Sequence, residues 1–192
     1  HAREMGHDPD REPPFFFTKP ADAIVPGKGE IPYPPMTSDL HYEIELVVAI
    51  GKEGAEISRS DAQDYVFGYS VGVDLTRRDL QGEAKKMGRP WDMGKGFDHS
   101  APCSPVHAVD ETGELSGKRI WLSVNGVNRQ DGNLDELIWT VPEVIADLSK
   151  FVSLKAGDLI MTGTPAGVGP VSRGDSITGG VDGIDEVSFT LI

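Results

Sequence analysis

One short run constrains this chain more than any other, because both of its faces must be buried. Side chains alternate between the two sides of a strand, so Tyr42–Gly51 separates into two rows. Both rows are largely apolar, which is typical of a central strand that packs on both sides. The chain must therefore fold around a sheet that encloses this segment. One row is Tyr42, Ile44, Leu46, Val48 and Ile50, and the other is Glu43, Glu45, Val47 and Ala49.

The rest of the chain also favours strands over helices. Its 23 glycines and 14 prolines indicate many turns and short elements. We therefore predict a single α+β domain over residues 1–192, a β-dominated mixed-sheet roll in which helices do not alternate regularly with strands. Strands are predicted at Phe15–Lys19, Val66–Asp74, Asp158–Thr162 and Glu186–Ile192, a hairpin around Asn125–Gly126, helices at Ser60–Tyr65, Thr76–Met87 and Pro142–Phe151, and a loop at 26–40.

Charge and cysteine content restrict the partners. The formal net charge of −13 argues against nucleic acid and anionic membranes as partners. No apolar run reaches the roughly 20 residues that span a bilayer, and no signal segment is evident. The only cysteine, Cys103, cannot form an intrachain disulfide, so a reducing compartment, the cytoplasm, is expected. The chain begins at His1 rather than Met, and we expect a short preceding segment to be missing.

Glu43 and Glu45 are the most informative residues of the buried strand. They lie on one face, roughly 7 Å apart along the chain. Two buried like charges are unfavourable, and a divalent cation is the simplest compensation. Asp74, at the end of the next predicted strand, is a third candidate ligand. Alternatively, the glutamates lie at an exposed strand end or pair with Lys or Arg, and Asp74 caps the helix predicted from Thr76.

Such a ligand set has consequences for the metal. Three carboxylates without His or Cys form a hard oxygen set, which favours Mg²⁺ or Mn²⁺, with Ca²⁺ possible, over zinc or copper. Three protein ligands leave positions for water or substrate, which is typical of a catalytic site. A bound cation would also allow an anionic substrate in spite of the acidic composition.

Four motifs together resemble the fumarylacetoacetate hydrolase superfamily, in order over essentially the whole chain. The stretch from Arg78 to Trp91 is most similar to the acylpyruvate hydrolase branch, and within it to hydrolases of gentisate-type aromatic degradation. The four motifs are His41-Tyr-Glu-Ile-Glu-Leu46, Gly72-Val-Asp-Leu-Thr-Arg-Arg-Asp-Leu-Gln81, Gly94-Lys-Gly-Phe97 and Thr162-Gly-Thr-Pro-Ala-Gly-Val-Gly169.

This resemblance implies a homodimer of the family's β-roll that acts on a small diketo acid. It also implies a role for each matching residue. The metal ligands would be Glu43, Glu45 and Asp74; the catalytic residues would be His1, Glu4 and Lys95; and the substrate-binding residues would be Gly163, Thr164, Arg78 and Gln81.

Elementary chemistry supports these roles but leaves alternatives open. On a helix His1 and Glu4 are neighbours, and a carboxylate beside an imidazole makes it a better base, yet a frayed terminus has the same spacing. Lys95 lies between glycines that allow close approach, although a surface turn lysine would look alike. Loop 163–169 offers backbone N–H groups to anions, as do many plain turns.

The expected reaction is hydrolysis of the C3–C4 bond of a 2,4-dioxo acid, with fumarylpyruvate as the expected substrate and fumarate and pyruvate as products. Other acylpyruvates, oxaloacetate decarboxylation, and hydration or isomerisation of a dienoic acid are alternatives on the same scaffold. A non-catalytic, metal-stabilised β module that binds another protein is an alternative of a different class.

Overall fold

The computed structural model describes residues 12–192 and has the predicted class: a strand-dominated α+β fold with mixed sheets. The strands are β1 Ile24–Pro26, β2 Lys28–Ile31, β3 Leu40–Tyr42, β4 Ile44–Ile50, β5 Val66–Val73, β6 Thr76–Arg77, β7 Ala101–Cys103, β8 His107–Ala108, β9 Arg119–Val124, β10 Val127–Asn133, β11 Leu159–Met161, β12 Gly169–Val171, β13 Ser176–Val181 and β14 Val187–Leu191. The α-helices are α1 Arg78–Lys86, α2 Asp92–Lys95, α3 Val109–Thr112 and α4 Val141–Leu148, and short 3₁₀ turns cover Ala21–Ala23, Ala62–Tyr65 and Leu134–Glu136.

The strands form three sheets. The largest has the order β1-β7-β5-β4-β11, with β8 paired to the side of β5. The second has the order β10-β9-β13-β14-β2, and a small third sheet has the order β12-β3-β6. The first two are mixed, because β1 and β7 are parallel, as are β14 and β2. None of the helices in residues 12–192 is long and apolar enough to cross a membrane.

The buried central strand is confirmed as β4. It pairs antiparallel with β5 on one side and with β11 on the other, and all seven of its residues are buried. Its Ile44, Leu46 and Val48 join the main core with Leu122 and Ile177 of the second sheet. Each such aliphatic side chain contributes about 1.5–3 kcal/mol on burial, so the position of β4 is strongly determined.

The two sheets approach closely where Ile44 faces β13. A Cβ added at Gly179 would lie 2.9 Å from Ile44 Cδ1 and 2.9 Å from the Trp121 carbonyl oxygen. Only glycine therefore fits at this crossing. The contact packs against the face of β4 that is opposite to Glu43 and Glu45.

The hairpin, the C-terminal end of α1 and the N-terminal end of α4 follow local sequence rules. Asn125 and Gly126 have φ of 52° and 76°, the left-handed pair that a two-residue hairpin turn requires. Gly88 has φ of 62° just beyond α1, as expected of a helix stop. The helix predicted from Pro142 begins one residue earlier, after a capping box formed by Thr140 and Glu143.

Three local predictions are wrong or incomplete. The helix predicted from Thr76 begins only at Arg78, because residues 76–77 form β6 and pair with β3. Phe15–Lys19 forms no strand with any residue of the described range. The predicted loop at 26–40 contains β2, which pairs with β14 through backbone groups and so needs no apolar alternation. These pairings join distant segments, and a local pattern does not report them.

Candidate active site

Strands β4 and β5 bring three acidic side chains together at one end of the large sheet. Glu45 lies opposite Gly72 in the antiparallel register, and the Asp74 N–H donates to the Glu43 carbonyl oxygen at 2.8 Å. All three carboxylates are buried, and one oxygen from each lies within 4.8 Å of the others. The predicted cluster of Glu43, Glu45 and Asp74 is therefore formed.

Lys95 bridges two members of this cluster. Its Nζ donates to Asp74 Oδ2 at 2.6 Å, to Thr76 Oγ1 at 2.7 Å and to Glu43 Oε2 at 3.0 Å, and the side chain is only 2 % exposed. Lys95 is therefore a buried residue of the site and not a surface turn lysine. Its charge is held in place by two carboxylates.

The backbone around Lys95 explains how it reaches the site. A Cβ added at Gly94 would lie 2.9 Å from both the backbone nitrogen and the Cβ of Gln81. Gly94 therefore allows α2 to pack directly on α1, as the flanking glycines indicated. The ring of Phe17 lies 4.9 Å from Lys95 Nζ and covers it with an apolar surface.

Two further cationic side chains, Arg78 and Lys19, contact the carboxylate cluster. Arg78 pairs with Glu43 and also donates to Gln81 Oε1 at 2.7 Å. Lys19 Nζ lies 2.7 Å from Asp74 Oδ1, although this ion pair is not aligned as a hydrogen bond. Among the described residues, three cations thus surround three carboxylates, and their formal charges cancel.

The electrostatic environments of Glu43, Glu45 and Lys95 nevertheless differ, as the shifts of their pKa values show. Burial opposes the charge of Glu43, but Lys95 and Arg78 outweigh it and lower its pKa. Burial raises the pKa of Glu45 well above its usual value, and the charges of Asp74 and Glu43 raise it further. Burial likewise disfavours the Lys95 ammonium, but Asp74 and Glu43 prevail and raise its pKa. Glu45 is therefore the carboxylate that lacks compensation without a metal.

The loop after β11 reaches the same place. Thr162 N–H and Oγ1 both bond the Leu46 carbonyl oxygen, and the Gly163 N–H donates to Glu45 Oε2 at 2.7 Å. Thr164 follows directly and is partly exposed beside the cluster. The structure therefore brings the candidate substrate residues Gly163 and Thr164 next to the candidate metal ligands.

His41 was not singled out from the sequence as a functional residue, yet it contributes to the site. Its Nε2 lies 2.9 Å from Asp39 Oδ1, and its Nδ1 accepts a hydrogen bond from Arg78 Nε at 3.3 Å. The Nε2 must therefore carry the proton. Burial and the charge of Arg78 lower the pKa of His41, so the ring is neutral and orients Arg78.

Lys19 was also missed. Burial lowers its pKa in spite of the nearby Asp74. Its position after three phenylalanines and before Pro20 was the available signal, since one cation in an apolar segment must find a partner. His1 and Glu4, the predicted catalytic dyad, lie outside the described residues.

The cluster fits a divalent cation. All three ligands are hard oxygen donors, and the oxygens of one Mg²⁺ site at about 2.1 Å from the metal are at most about 4.2 Å apart. Oxygens already within 4.8 Å need to close only slightly. The uncompensated burial of Glu45 favours binding of the metal. When the metal binds, at least one of the three cations must partly release its partner, Asp74 or Glu43.

Comparison with known proteins identifies the family. The family described as fumarylacetoacetate (FAA) hydrolase C-terminal matches residues 1–192. A fumarylpyruvate hydrolase from Ralstonia sp is 47% identical over 189 residues, covering 97% of this chain and 98% of the relative. A mitochondrial oxaloacetate decarboxylase from Dictyostelium discoideum is 42% identical over 194 residues, covering 100% of this chain and 88% of the relative.

A solved structure is closely similar as well. It is the crystal structure of fumarylpyruvate hydrolase from Pseudomonas aeruginosa in complex with Mn²⁺ and pyruvate, 51% identical, with a TM-score of 0.97, covering 100% of this chain and 84% of that one. The resemblance drawn from the sequence motifs is therefore confirmed over the full length. This chain belongs to the fumarylacetoacetate hydrolase family.

Proposed function

We propose that this chain is a divalent-metal-dependent hydrolase that cleaves the C3–C4 bond of a 2,4-dioxo acid, with fumarylpyruvate as its substrate. The observation that carries the proposal is the buried cluster of Glu43, Glu45 and Asp74, with Lys95 on one side and the Gly163–Thr164 backbone on the other. The similarity to hydrolases of fumarylpyruvate supports the choice of substrate.

The charge balance of the site supports an anionic substrate. The described residues contribute three carboxylates and three cations, so a bound dication leaves a net charge of about +2. The carboxylate of a 2,4-dioxo acid would offset part of this charge. An uncharged substrate would leave it buried and uncompensated, which is costly in a site of low dielectric.

Each residue has a distinct task in the proposed reaction. A cation held by Glu43, Glu45 and Asp74 would act as a Lewis acid toward the 2-oxo and carboxylate oxygens. Thr164 and neighbouring N–H groups hold the pyruvoyl carboxylate. The His1–Glu4 pair removes a proton from the water that attacks the C4 carbonyl carbon.

The C3–C4 bond then breaks, and its electron pair forms the enolate of pyruvate. Fumarate leaves with the oxygen of the attacking water, and a proton added at C3 completes pyruvate. The ammonium of Lys95, fixed by Asp74 and Glu43, stabilises the negative charge of the enolate.

We assign the acyl half of the substrate to an aromatic cleft of about 470 Å³ beside Lys95. Its walls include Phe15, Phe17 and Trp91, and the same Phe17 ring lies 4.9 Å from Lys95 Nζ. Arg89 also lines the cleft, as does Asp92, and the Arg89 side chain is exposed. Arg78, one of the substrate-binding residues implied by the sequence motifs, is instead engaged by Glu43 and Gln81.

A second function is favoured by one observation, the 42% identity to an oxaloacetate decarboxylase. Decarboxylation of oxaloacetate uses the same enolate-stabilising residues but needs no attacking water. Replacing His1 with Ala therefore separates the two reactions. It should abolish hydrolysis and spare metal binding, whereas a decarboxylase should retain activity.

A spectrophotometric panel of acylpyruvates, with and without Mg²⁺ or Mn²⁺, tests the proposal. We expect metal-dependent cleavage with a higher kcat/KM for fumarylpyruvate than for acetylpyruvate. Equal specificity constants would remove the fumaryl assignment, and a complete lack of metal-dependent cleavage would refute the hydrolase itself. Calorimetry with oxalate is the matching binding test, since a catalytic site should bind oxalate only when metal is present.

We propose that the protein is a homodimer and that it is located in the cytoplasm. An exposed apolar cleft at the edge of the large sheet, which includes Phe67, Val106 and Leu159, supports a subunit contact. The single cysteine supports a reducing compartment. Light scattering of the purified protein tests the dimer, and Phe67→Asp should shift it toward the monomer.

A further inference from the structure

Gln130 is a fully buried polar residue that the proposed mechanism does not use. Its Oε1 accepts a hydrogen bond from the Ile44 N–H at 3.0 Å. Its Nε2 donates to Thr164 Oγ1 at 2.7 Å and to the Pro165 carbonyl oxygen at 2.9 Å. One amide thus joins the strand position between Glu43 and Glu45 to the substrate loop.

The local backbone is shaped to deliver this amide. Strand β10 has an irregular register between Asn128 and Gln130, a bulge of the kind that redirects a side chain. The loop also packs tightly on the bulge, because a Cβ added at Gly167 would lie 2.2 Å from the Arg129 carbonyl oxygen. With φ of 98°, Gly167 is the residue type that this approach requires.

The orientation of the amide follows from its two backbone partners. The Ile44 N–H can only donate and the Pro165 carbonyl oxygen can only accept, so Oε1 and Nε2 of Gln130 cannot be exchanged. Nε2 can only donate, so Thr164 Oγ1 must accept. The hydroxyl hydrogen of Thr164 must therefore point elsewhere, and within residues 12–192 no acceptor is bound to it.

We propose that Gln130 is a positioning residue that turns the Thr164 hydroxyl into an obligate hydrogen-bond donor toward the substrate carboxylate. This rests on the proposed function, in which Thr164 faces the pyruvoyl carboxylate. Gln130 also fixes the separation between that donor and the metal-binding strand. The site thereby selects a carboxylate, an acceptor, over a group that would donate to Thr164.

A double-mutant cycle tests the coupling, with pyruvate binding to the Mn²⁺-loaded protein measured by calorimetry. Gln130→Glu retains an acceptor for Ile44 but presents an acceptor to Thr164, so the hydroxyl turns away from the ligand. Gln130→Glu and Thr164→Val should each weaken pyruvate binding about tenfold or more, as expected for one lost hydrogen bond to a carboxylate. The double variant should be no weaker than either single variant, and Mn²⁺ affinity should change far less.

Additive losses in this cycle would overturn the role of Gln130 while leaving Thr164 as a substrate ligand. An unchanged pyruvate affinity in Thr164→Val would instead refute the Thr164 assignment within the proposed function, and the inference with it. Thermal unfolding verifies that each variant is folded.

Thr164→Ser keeps the test decisive even if Gln130 variants do not fold. Serine lacks the β-branch that restricts the threonine rotamer, so only Gln130 then holds the hydroxyl. We expect Thr164→Ser to bind pyruvate within about twofold of the wild type, well below the tenfold cost of a lost hydrogen bond. A loss as large as that of Thr164→Val would show that the side chain's own rotamer, and not Gln130, directs the hydroxyl.

Discussion

The backbone N–H of Gly163 donates a 2.7 Å hydrogen bond to Glu45 Oε2, which attaches the substrate loop directly to a candidate metal ligand. Glu45 is also the carboxylate whose pKa burial raises most clearly within the cluster. The geometry of the loop and the readiness of Glu45 to bind a cation are therefore linked through one peptide group.

Gly163→Ala should weaken Mn²⁺ binding about tenfold through this peptide group. Gly163 has φ of 100°, so an alanine is strained there by about 1–2 kcal/mol although its Cβ would meet no atom of residues 12–192 within 4 Å. The strain displaces the N–H from Glu45. Gly157→Ala is a matched control, with φ of 94°, the same open space and no contact with the cluster. If calorimetry gives Gly163→Ala and Gly157→Ala the same Mn²⁺ affinity, and both lose a similar amount of melting temperature, the link between the loop and Glu45 is contradicted.

The sequence predicts the acidic cluster because its geometry is local. Alternation places Glu43, just before β4, on the same face as Glu45 within it, and Asp74 directly follows β5, which pairs with β4. Lys19 and Gln130 are different, since both reach the site from distant parts of the chain. The Gln130 bond to Ile44 spans 86 positions, and no periodicity within either segment reports such a contact.

The same limit explains the error at Thr76. Its hydroxyl is chemically suited to cap the helix that follows. In the structure that hydroxyl instead accepts a hydrogen bond from Lys95, and residues 76–77 pair with β3. A tertiary contact with the site thus overrides the local preference, and the helix begins later.

Glu45→Gln should stabilise the metal-free protein at neutral pH while it weakens Mn²⁺ binding. Because the folded-state pKa of Glu45 is raised, the folded protein holds that proton more tightly than the unfolded chain. Stability of the metal-free protein therefore falls as pH rises from the ordinary glutamate pKa toward the raised one. The variant lacks this loss, and each kcal/mol recovered raises the melting temperature by about 2–4 °C.

Glu43→Gln is the contrast for that experiment. The pKa of Glu43 is lowered because Lys95 and Arg78 outweigh its burial. Its charge therefore stabilises the fold above the ordinary glutamate pKa, and this stability is lost as pH falls through the lowered value. Thermal unfolding without metal at pH 7 should show a lower melting temperature than the wild type. If Glu45→Gln and Glu43→Gln shift the metal-free melting temperature in the same direction, the proposed difference between the two carboxylates is refuted.

Lys95→Met should abolish most activity and destabilise the metal-free protein. The change removes the shared partner of Asp74 and Glu43, and breaking a buried ion pair in this way costs about 3–5 kcal/mol. Mn²⁺ should restore part of the melting temperature, because it supplies the missing positive charge. With metal bound, kcat should fall by about 10²–10³, the usual cost of losing one group that stabilises an oxyanion. Lys150→Met, at an exposed pair with Asp147, is the control, and a comparable kcat in both variants would exclude the role of Lys95.

Arg89→Ala tests the assignment of the aromatic cleft to the acyl group. The exposed guanidinium lines the cleft, where it can pair with the distal carboxylate of fumarylpyruvate but finds no such group in acetylpyruvate. We expect KM for fumarylpyruvate to rise about three- to tenfold, with kcat and the acetylpyruvate KM nearly unchanged, because an exposed charge-assisted contact is modest in strength. Lys86→Ala removes a nearby charge on α1 that does not line the cleft, so it controls for long-range attraction. The assignment fails if Arg89→Ala raises the KM of both substrates alike, or if Lys86→Ala raises the KM for fumarylpyruvate as much. Either result would show that Arg89 acts only through long-range electrostatic attraction and that the distal carboxylate binds elsewhere.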